Sequence, residues 1–243
     1  MKLPIGTFIN MGTVIVGSLI GVQLQQVFPE NIQDIIFQAI GLTTILIGIL
    51  MATKLMDGYM LVLIFSLILG GILGELIDVE GNLQAMGDWV KTQFQFGDSR
   101  FTEGLITAFL LFCIGSMTIV GAIEEGLRGK RELLMIKSTL DGITSIAFAS
   151  TYGIGVLFSI VPMLLFQGGL TVLAQRLQHI FVEKIVTMLT AVGGVLIIGL
   201  GLNILQIGDV NIENLLPSLI FVLLLTPLKD RFQKKVATNN QSE

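Results

Sequence analysis

An ionisable or amide side chain inside hydrocarbon costs roughly 2–3 kcal/mol or more unless it is paired or wetted. The polar residues within the apolar stretches of this chain are therefore where its chemistry must be sought. Asp141 leads them: a carboxylate on a hydroxyl-rich segment can bind a cation or carry a proton. A second reading makes Ser138, Thr139 and Asp141 the first turn of a helix, where negative charge is favourable. Around Asp141 lie Ser116, Ser145, Ser150 and Thr151, whose hydroxyls either line a polar route or bond back to their own helix carbonyls. Asn10 and Gln167 are amides inside apolar runs, suited to interhelical hydrogen bonds or to contact with a solute. Glu75, Glu103 and Asn203 fall near the ends of such runs and are secondary candidates, explained as well by an interfacial position.

Enzymatic chemistry finds no support. His179 is the only histidine, and no His-Glu-x-x-His, Gly-x-Ser-x-Gly or Gly-x4-Gly-Lys-Ser/Thr occurs. A hydrolase built on Ser116 or Ser150 would lack a base. No cofactor motif and no metal-ligand cluster is present, and the single Cys113 excludes an intrachain disulfide. The expectation is a protein that is not an enzyme.

The elements that must position these residues are membrane spans. Apolar residues make up 53% and charged residues 13% of the 243, with a mean hydropathy of +0.85; a soluble domain carries about 25% charge. Eight apolar runs can each cross the bilayer as a helix, near 5–26, 32–53, 59–78, 101–123, 139–156, 158–177, 183–205 and 212–228. The predicted class is an all-α polytopic bundle of about eight spans forming one integral membrane domain.

Threaded with the N-terminus inside, the chain places Lys2, Lys54, Arg128, Lys130, Arg131, Lys137, Arg176, Lys184, Lys229, Arg231, Lys234 and Lys235 on the cytoplasmic side. Only Lys91 and Arg100 fall outside. This is the positive-inside distribution, and it puts both termini in the cytoplasm. The run after Lys2 is read as a retained first span, because no small-x-small cleavage site and polar mature start follow it. The basic loop at Arg128–Arg131 and the tail suit anionic lipid and give no support to nucleic-acid binding.

Residues 80–100 form an extracytoplasmic interfacial segment, in which Leu83, Met86, Val90 and Phe94 share one helical face beside Trp89. A shift of about 152 residues lays Gly17, Gln23, Gln26, Ala39, Gly41 and Ile45 over Gly169, Gln175, Gln178, Ala191, Gly193 and Ile197. Gly41 and Gly48 are echoed by Gly194 and Gly201 one residue out of phase. The match is weak. Taken as a repeat, it makes 1–79 and 157–235 inverted copies around a central two-span insert at 101–156, with a disordered tail at 236–243. Gly17-x3-Gly21 and Gly70-x3-Gly74 carry the small-residue spacing that lets helices approach closely, within the chain or in a homo-oligomer. Gly153 and Gly155 offer a place for a span to unwind.

Four sets of residues now point to a family. They are Gly6-Thr7-x-x-Asn10, Gly70-Gly71-x-x-Gly74-Glu75, Phe112-Cys113-x-Gly115-Ser116-Met117 with Gly121-Ala122-Ile123, and Lys137-Ser138-x-x-Asp141. Over nearly the whole chain the sequence resembles the prokaryotic inner-membrane family called domain of unknown function 554, the YqgA/YdfK-like proteins. The resemblance implies a multi-pass protein of the bacterial cytoplasmic membrane and implies no activity. Two functions of different kinds follow from the residues. One is a secondary transporter or channel for a small polar solute or ion, the other a membrane scaffold whose glycine faces dock other helices. Asp141→Asn is expected to abolish flux in an intact protein under the first, and glycine-to-leucine changes at Gly17 or Gly74 to break assembly under the second.

Overall fold

The computed structural model describes residues 3–27, 29–94 and 100–239, and among these every regular element is a helix. In chain order they are α1 (Ile5–Val27), α2 (Glu30–Ala52), α3 (Met60–Leu76), α4 (Val79–Phe94), α5 (Phe101–Cys113), α6 (Ser116–Arg128) and α7 (Glu132–Tyr152). The last span pairs follow as α8 (Gly155–Phe158), α9 (Ile160–Met163), a π-helical segment (Leu164–Gly168), α10 (Gly169–Leu177), α11 (Glu183–Ile204), α12 (Ile212–Leu215) and α13 (Ser218–Asn239). Six helical stretches are long and apolar enough to cross a membrane, and eight result when two bent pairs each count as one span. Those pairs are α3 with α4, bent by 54°, and α5 with α6, bent by 61°. Outward faces are apolar, with Leu46, Leu50, Leu61, Phe65, Leu165 and Leu224 all exposed. Such a surface is stable only against lipid.

Glycine decides which helices meet. A Cβ on Gly17 would lie 2.1 Å from Ser145 Oγ and 2.2 Å from the Gly142 carbonyl, and one on Gly21 would lie 2.4 Å from the Ile146 carbonyl. The increasing numbers on both sides show that α1 and α7 run parallel, backbone against backbone. Across α2 and α11 the contacts run the other way: a Cβ on Gly201 would meet the Gly41 carbonyl at 3.0 Å, and one on Gly194 the Gly48 carbonyl at 2.7 Å. Gly74 approaches within 1.9 Å of the Asn214 carbonyl by the same measure, joining α3 to α12. In lipid, where apolar burial drives helices together only weakly, this close van der Waals contact holds the bundle. The glycine faces at Gly17 and Gly74, which the scaffold reading offers to other helices, are thus filled by the chain's own helices.

At the end of the bundle where α3, α11 and α13 meet, the Tyr59 hydroxyl donates to Asp230, and Lys184 Nζ donates to Asp230 Oδ2 at 2.8 Å and to the Tyr59 hydroxyl oxygen at 3.1 Å. This clamp is partly exposed and adds little to stability.

Several boundaries differ from the sequence expectation. α7 begins at Glu132 rather than near 139, so Lys137, Ser138 and Thr139 lie inside the helix and Asp141 sits in its middle, about 14 Å from its start at 1.5 Å per residue. The cap reading of Asp141 is therefore wrong, since a cap must stand in the first turn. Segment 80–100 is mostly α4; Leu83 packs on the core, Trp89 is exposed, and the side chains of Met86, Val90 and Phe94 lie outside the described residues. α13 continues through Asn239, so 236–239 is helix rather than tail, and 240–243 lies outside the described residues. Gly153, with φ +70°, ends α7 in a turn instead of interrupting a span. The interruptions fall elsewhere, at Ile114–Gly115 between α5 and α6, where Thr118 Oγ1 donates to the Phe112 carbonyl at 2.9 Å, and at the π-helical segment.

Candidate intramembrane polar site

Pro162 sets the second interruption. It has no N–H to give the Phe158 carbonyl, and the helix breaks at Ser159, reforms for one turn and widens into the π-helical segment. That widened turn carries Gln167, whose own carbonyl accepts from Thr171 Oγ1 at 3.2 Å. Gln167 is fully buried and reaches α1, where Asn10 is also fully buried.

Three spans converge there. Asn10 Nδ2 donates one hydrogen to Asp141 Oδ2 at 2.9 Å and the other to Gln167 Oε1 at 3.1 Å. One turn earlier on α7, Lys137 Nζ donates to Asp141 Oδ1 and Oδ2, both at 2.8 Å. Asp141 is 5% exposed and Lys137 7%, so the ion pair is taken almost wholly out of water. A desolvated pair of this kind is tolerable only when its hydrogen bonds are nearly complete. The Asn10 amide orientation follows, since its oxygen cannot face the carboxylate. Two capacities remain unused: Asn10 Oδ1, an acceptor, and Gln167 Nε2, a donor, are buried without a partner.

A second buried carboxylate lies nearer the start of α1. Glu125 on α6 is 1% exposed, and its Oε1 accepts from the Gly6 N–H at 2.8 Å and from Arg131 Nε at 2.8 Å. It thereby satisfies a first-turn N–H of α1 at the positive end of that helix. Glu125 Oε2 and the buried Thr7 hydroxyl, between Gly6 and Asn10 on α1, have no partner. Partly exposed Arg131 is thus bonded to Glu125, which in turn holds Gly6 on α1, one turn before Asn10.

At the opposite end a cleft of about 540 Å³ opens between the tops of α4, α5, α11 and α12. Glu80, Glu103, Asp209 and Glu213 line it, a concentration of negative charge that raises the local cation concentration.

Of the residues singled out from sequence, Asn10, Asp141 and Gln167 form one contact group. Ser145 and Ser150 do not join it: their hydroxyls donate at 2.8 Å to the Gly142 and Ala147 carbonyls of their own helix, and Thr151 does the same to Ala147 at 3.2 Å. Ser116 begins α6, and its side chain lies outside the described residues. Glu103 lines the acidic cleft, and Glu75 accepts from Asn214 Nδ2 at 2.7 Å. Asn203 pins the loop after α11, donating to the Val210 carbonyl at 2.7 Å and accepting from the Val210 N–H at 2.8 Å. Asn203→Ala is accordingly expected to cost about 1–2 kcal/mol of stability, read as a lower unfolding midpoint.

Lys137, Glu125 and Thr7 were not among the site candidates drawn from the sequence. The i,i+4 spacing of Lys137 and Asp141 was the available signal for the first. A lysine between a basic loop and an apolar run otherwise reads as an ordinary cytoplasmic flank. Nothing in the sequence separates buried Glu125 from its neighbour Glu124.

Residues 5–227 match the sequence profile described as Protein of unknown function (DUF554). The chain is similar to the uncharacterized membrane protein YdfK of Bacillus subtilis (strain 168), 38% identical over 217 residues covering 88% of this chain and 92% of that one. It is also similar to the uncharacterized protein YqgA of Escherichia coli (strain K12), 31% identical over 231 residues covering 92% and 97% respectively. No solved structure matches.

Proposed function

Starting from the fact that the chain belongs to the DUF554 family, whose relative YdfK is described only as a membrane protein, we propose that it is a secondary transporter or channel, not an enzyme, that moves a small polar solute or ion across the bacterial cytoplasmic membrane. One observation carries this reading. A buried charge pair and two buried amides from three separate spans meet midway along α7, and one amide stands on a π-helical turn. Such interruptions place polar groups at depth where solutes are bound.

The basic residues support an orientation with both termini in the cytoplasm, which directs the Arg131–Glu125 pair inward and the acidic cleft outward. The antiparallel seam of α2 and α11, where Gly48 and Gly194 each approach the other's carbonyl and Gly201 approaches that of Gly41, supports an inverted arrangement of the two ends of the chain. The scaffold alternative is weakened because Gly17 and Gly74 are already occupied within the chain.

The test is the electrical response of purified protein in liposomes on a solid-supported membrane, challenged with monovalent and divalent cations, amino acids and organic acids. The control is the double variant Lys137→Met with Asp141→Asn, since Asp141→Asn alone strands a buried ammonium. A saturable current lost in the folded double variant is expected. Silence across the panel, with isotope uptake equally silent, would sink the transport reading.

A further inference from the structure

We propose that the Asn10–Asp141–Gln167 group is a binding site for a monovalent cation and that the Lys137 ammonium is its built-in competitor, released toward Glu125 when the cation enters. The proposal rests on the transport reading of the same residues and adds its substrate class and a two-state exchange.

The ligand set argues for a cation. Asp141 Oδ2 and Gln167 Oε1 both point at Asn10 Nδ2, at 2.9 and 3.1 Å. Rotating the Asn10 amide by half a turn brings the unpartnered Oδ1 to that place. The same three side chains then present a carboxylate oxygen and two carboxamide oxygens to one point, the ligand type that hard cations take. The unpartnered, fully buried Thr7 hydroxyl, one turn along α1, is a further oxygen on the approach. A single carboxylate balances a single positive charge, and Lys137 already fills that role at 2.8 Å from both oxygens. A divalent ion would leave an uncompensated charge in a water-poor site.

The exchange needs somewhere for the ammonium to go. Lys137 lies one turn nearer the start of α7 than Asp141, on the side where Leu134 packs against Gly6. Gly6 is also where Glu125 Oε2 sits buried with no partner: a Cβ on Gly6 would lie 2.6 Å from Leu134 Cδ1 and 3.0 Å from that oxygen. With the cation on Asp141 and the ammonium turned to Glu125, both carboxylates remain paired, and the 41%-exposed Arg131 gives up Glu125 to the ammonium and turns to solvent, so no charge is left uncompensated in the buried site. The two arrangements therefore form discrete states that a cation selects, as a transport cycle requires.

Binding is tested apart from flux. Purified wild type is heated in NaCl, LiCl, KCl or choline chloride at constant chloride, and Lys137 acetylation by acetic anhydride is followed by mass spectrometry under the same conditions. One alkali cation is expected to raise the unfolding midpoint saturably over choline and to increase Lys137 acetylation several-fold. Lys137→Met is expected to bind that cation at least tenfold more tightly, and the double variant with Asp141→Asn not at all. If neither the midpoint nor the acetylation of wild type responds to any alkali cation, the proposal is wrong, whether or not Lys137→Met folds. Flux of an uncharged solute without cation response would end this proposal and keep the transport reading. Cation binding without any flux would do the reverse.

Discussion

Asp141→Asn is expected to lower stability by about 3–5 kcal/mol, roughly a 10 °C fall in unfolding midpoint, and Lys137→Met added to it is expected to restore most of that loss. The reason is the asymmetry of buried charge. Asparagine keeps the size of Asp141 and can still accept from Asn10, but the Lys137 ammonium, 7% exposed, loses the carboxylate that neutralises it where it stands and must share Glu125 with Arg131. Removing both charges takes away the attraction together with the desolvation penalty, and such replacements are often neutral or better. Flux and cation response stay lost in the double variant because the carboxylate is gone. Thermal unfolding in detergent for wild type, both single variants and the double variant closes the cycle. Equal midpoints for Asp141→Asn and the double variant would show that Lys137 does not depend on Asp141 for its neutralisation. The result also replaces the simpler expectation that Asp141→Asn leaves the protein intact.

Gly17→Ala is expected to destabilise more than the same change at any other glycine of α1, by about 3 kcal/mol, and to abolish cation response and flux with it. Its Cβ would overlap Ser145 Oγ and the Gly142 carbonyl, and a backbone carbonyl cannot step aside as a side-chain tip can. α1 must then move off α7. Asn10 is on α1 and Asp141 on α7, so their 2.9 Å bond is lost with the seam. Gly12→Ala is the matched control: nothing lies within 4 Å of its Cβ, and the change is expected to be neutral or slightly stabilising. The pair separates lost packing from altered helix propensity. Equal midpoints for the two variants would mean that α1 does not pack on α7 through Gly17.

The same contacts show where sequence stopped being informative. Serine and threonine on α7 suggested a polar lining, yet Ser145, Ser150 and Thr151 satisfy themselves on α7 carbonyls. A hydroxyl has that local option, so its presence says little about its surroundings. A carboxylate has no hydrogen to give a helix carbonyl, so Asp141 needs donors, and the structure supplies them from Lys137 four residues earlier and from Asn10 on α1. The helix break was sought at Gly153 and Gly155, where glycine permits an unusual backbone. It occurs at the π-helical turn after Pro162, where proline compels one.

The sequence by itself determined that the chain forms long apolar helices and that the polar groups within them need partners, because a bilayer demands such helices and penalises each polar group separately. Only the tertiary structure decided that Asn10 meets Asp141 and Gln167, 131 and 157 positions away. It likewise decided that Lys137 neutralises Asp141 from within the membrane and that Glu125 waits beside Gly6 with an oxygen unpaired. Hydropathy reports how each helix relates to lipid, whereas which buried faces meet depends on the close glycine seams between helices far apart in the chain.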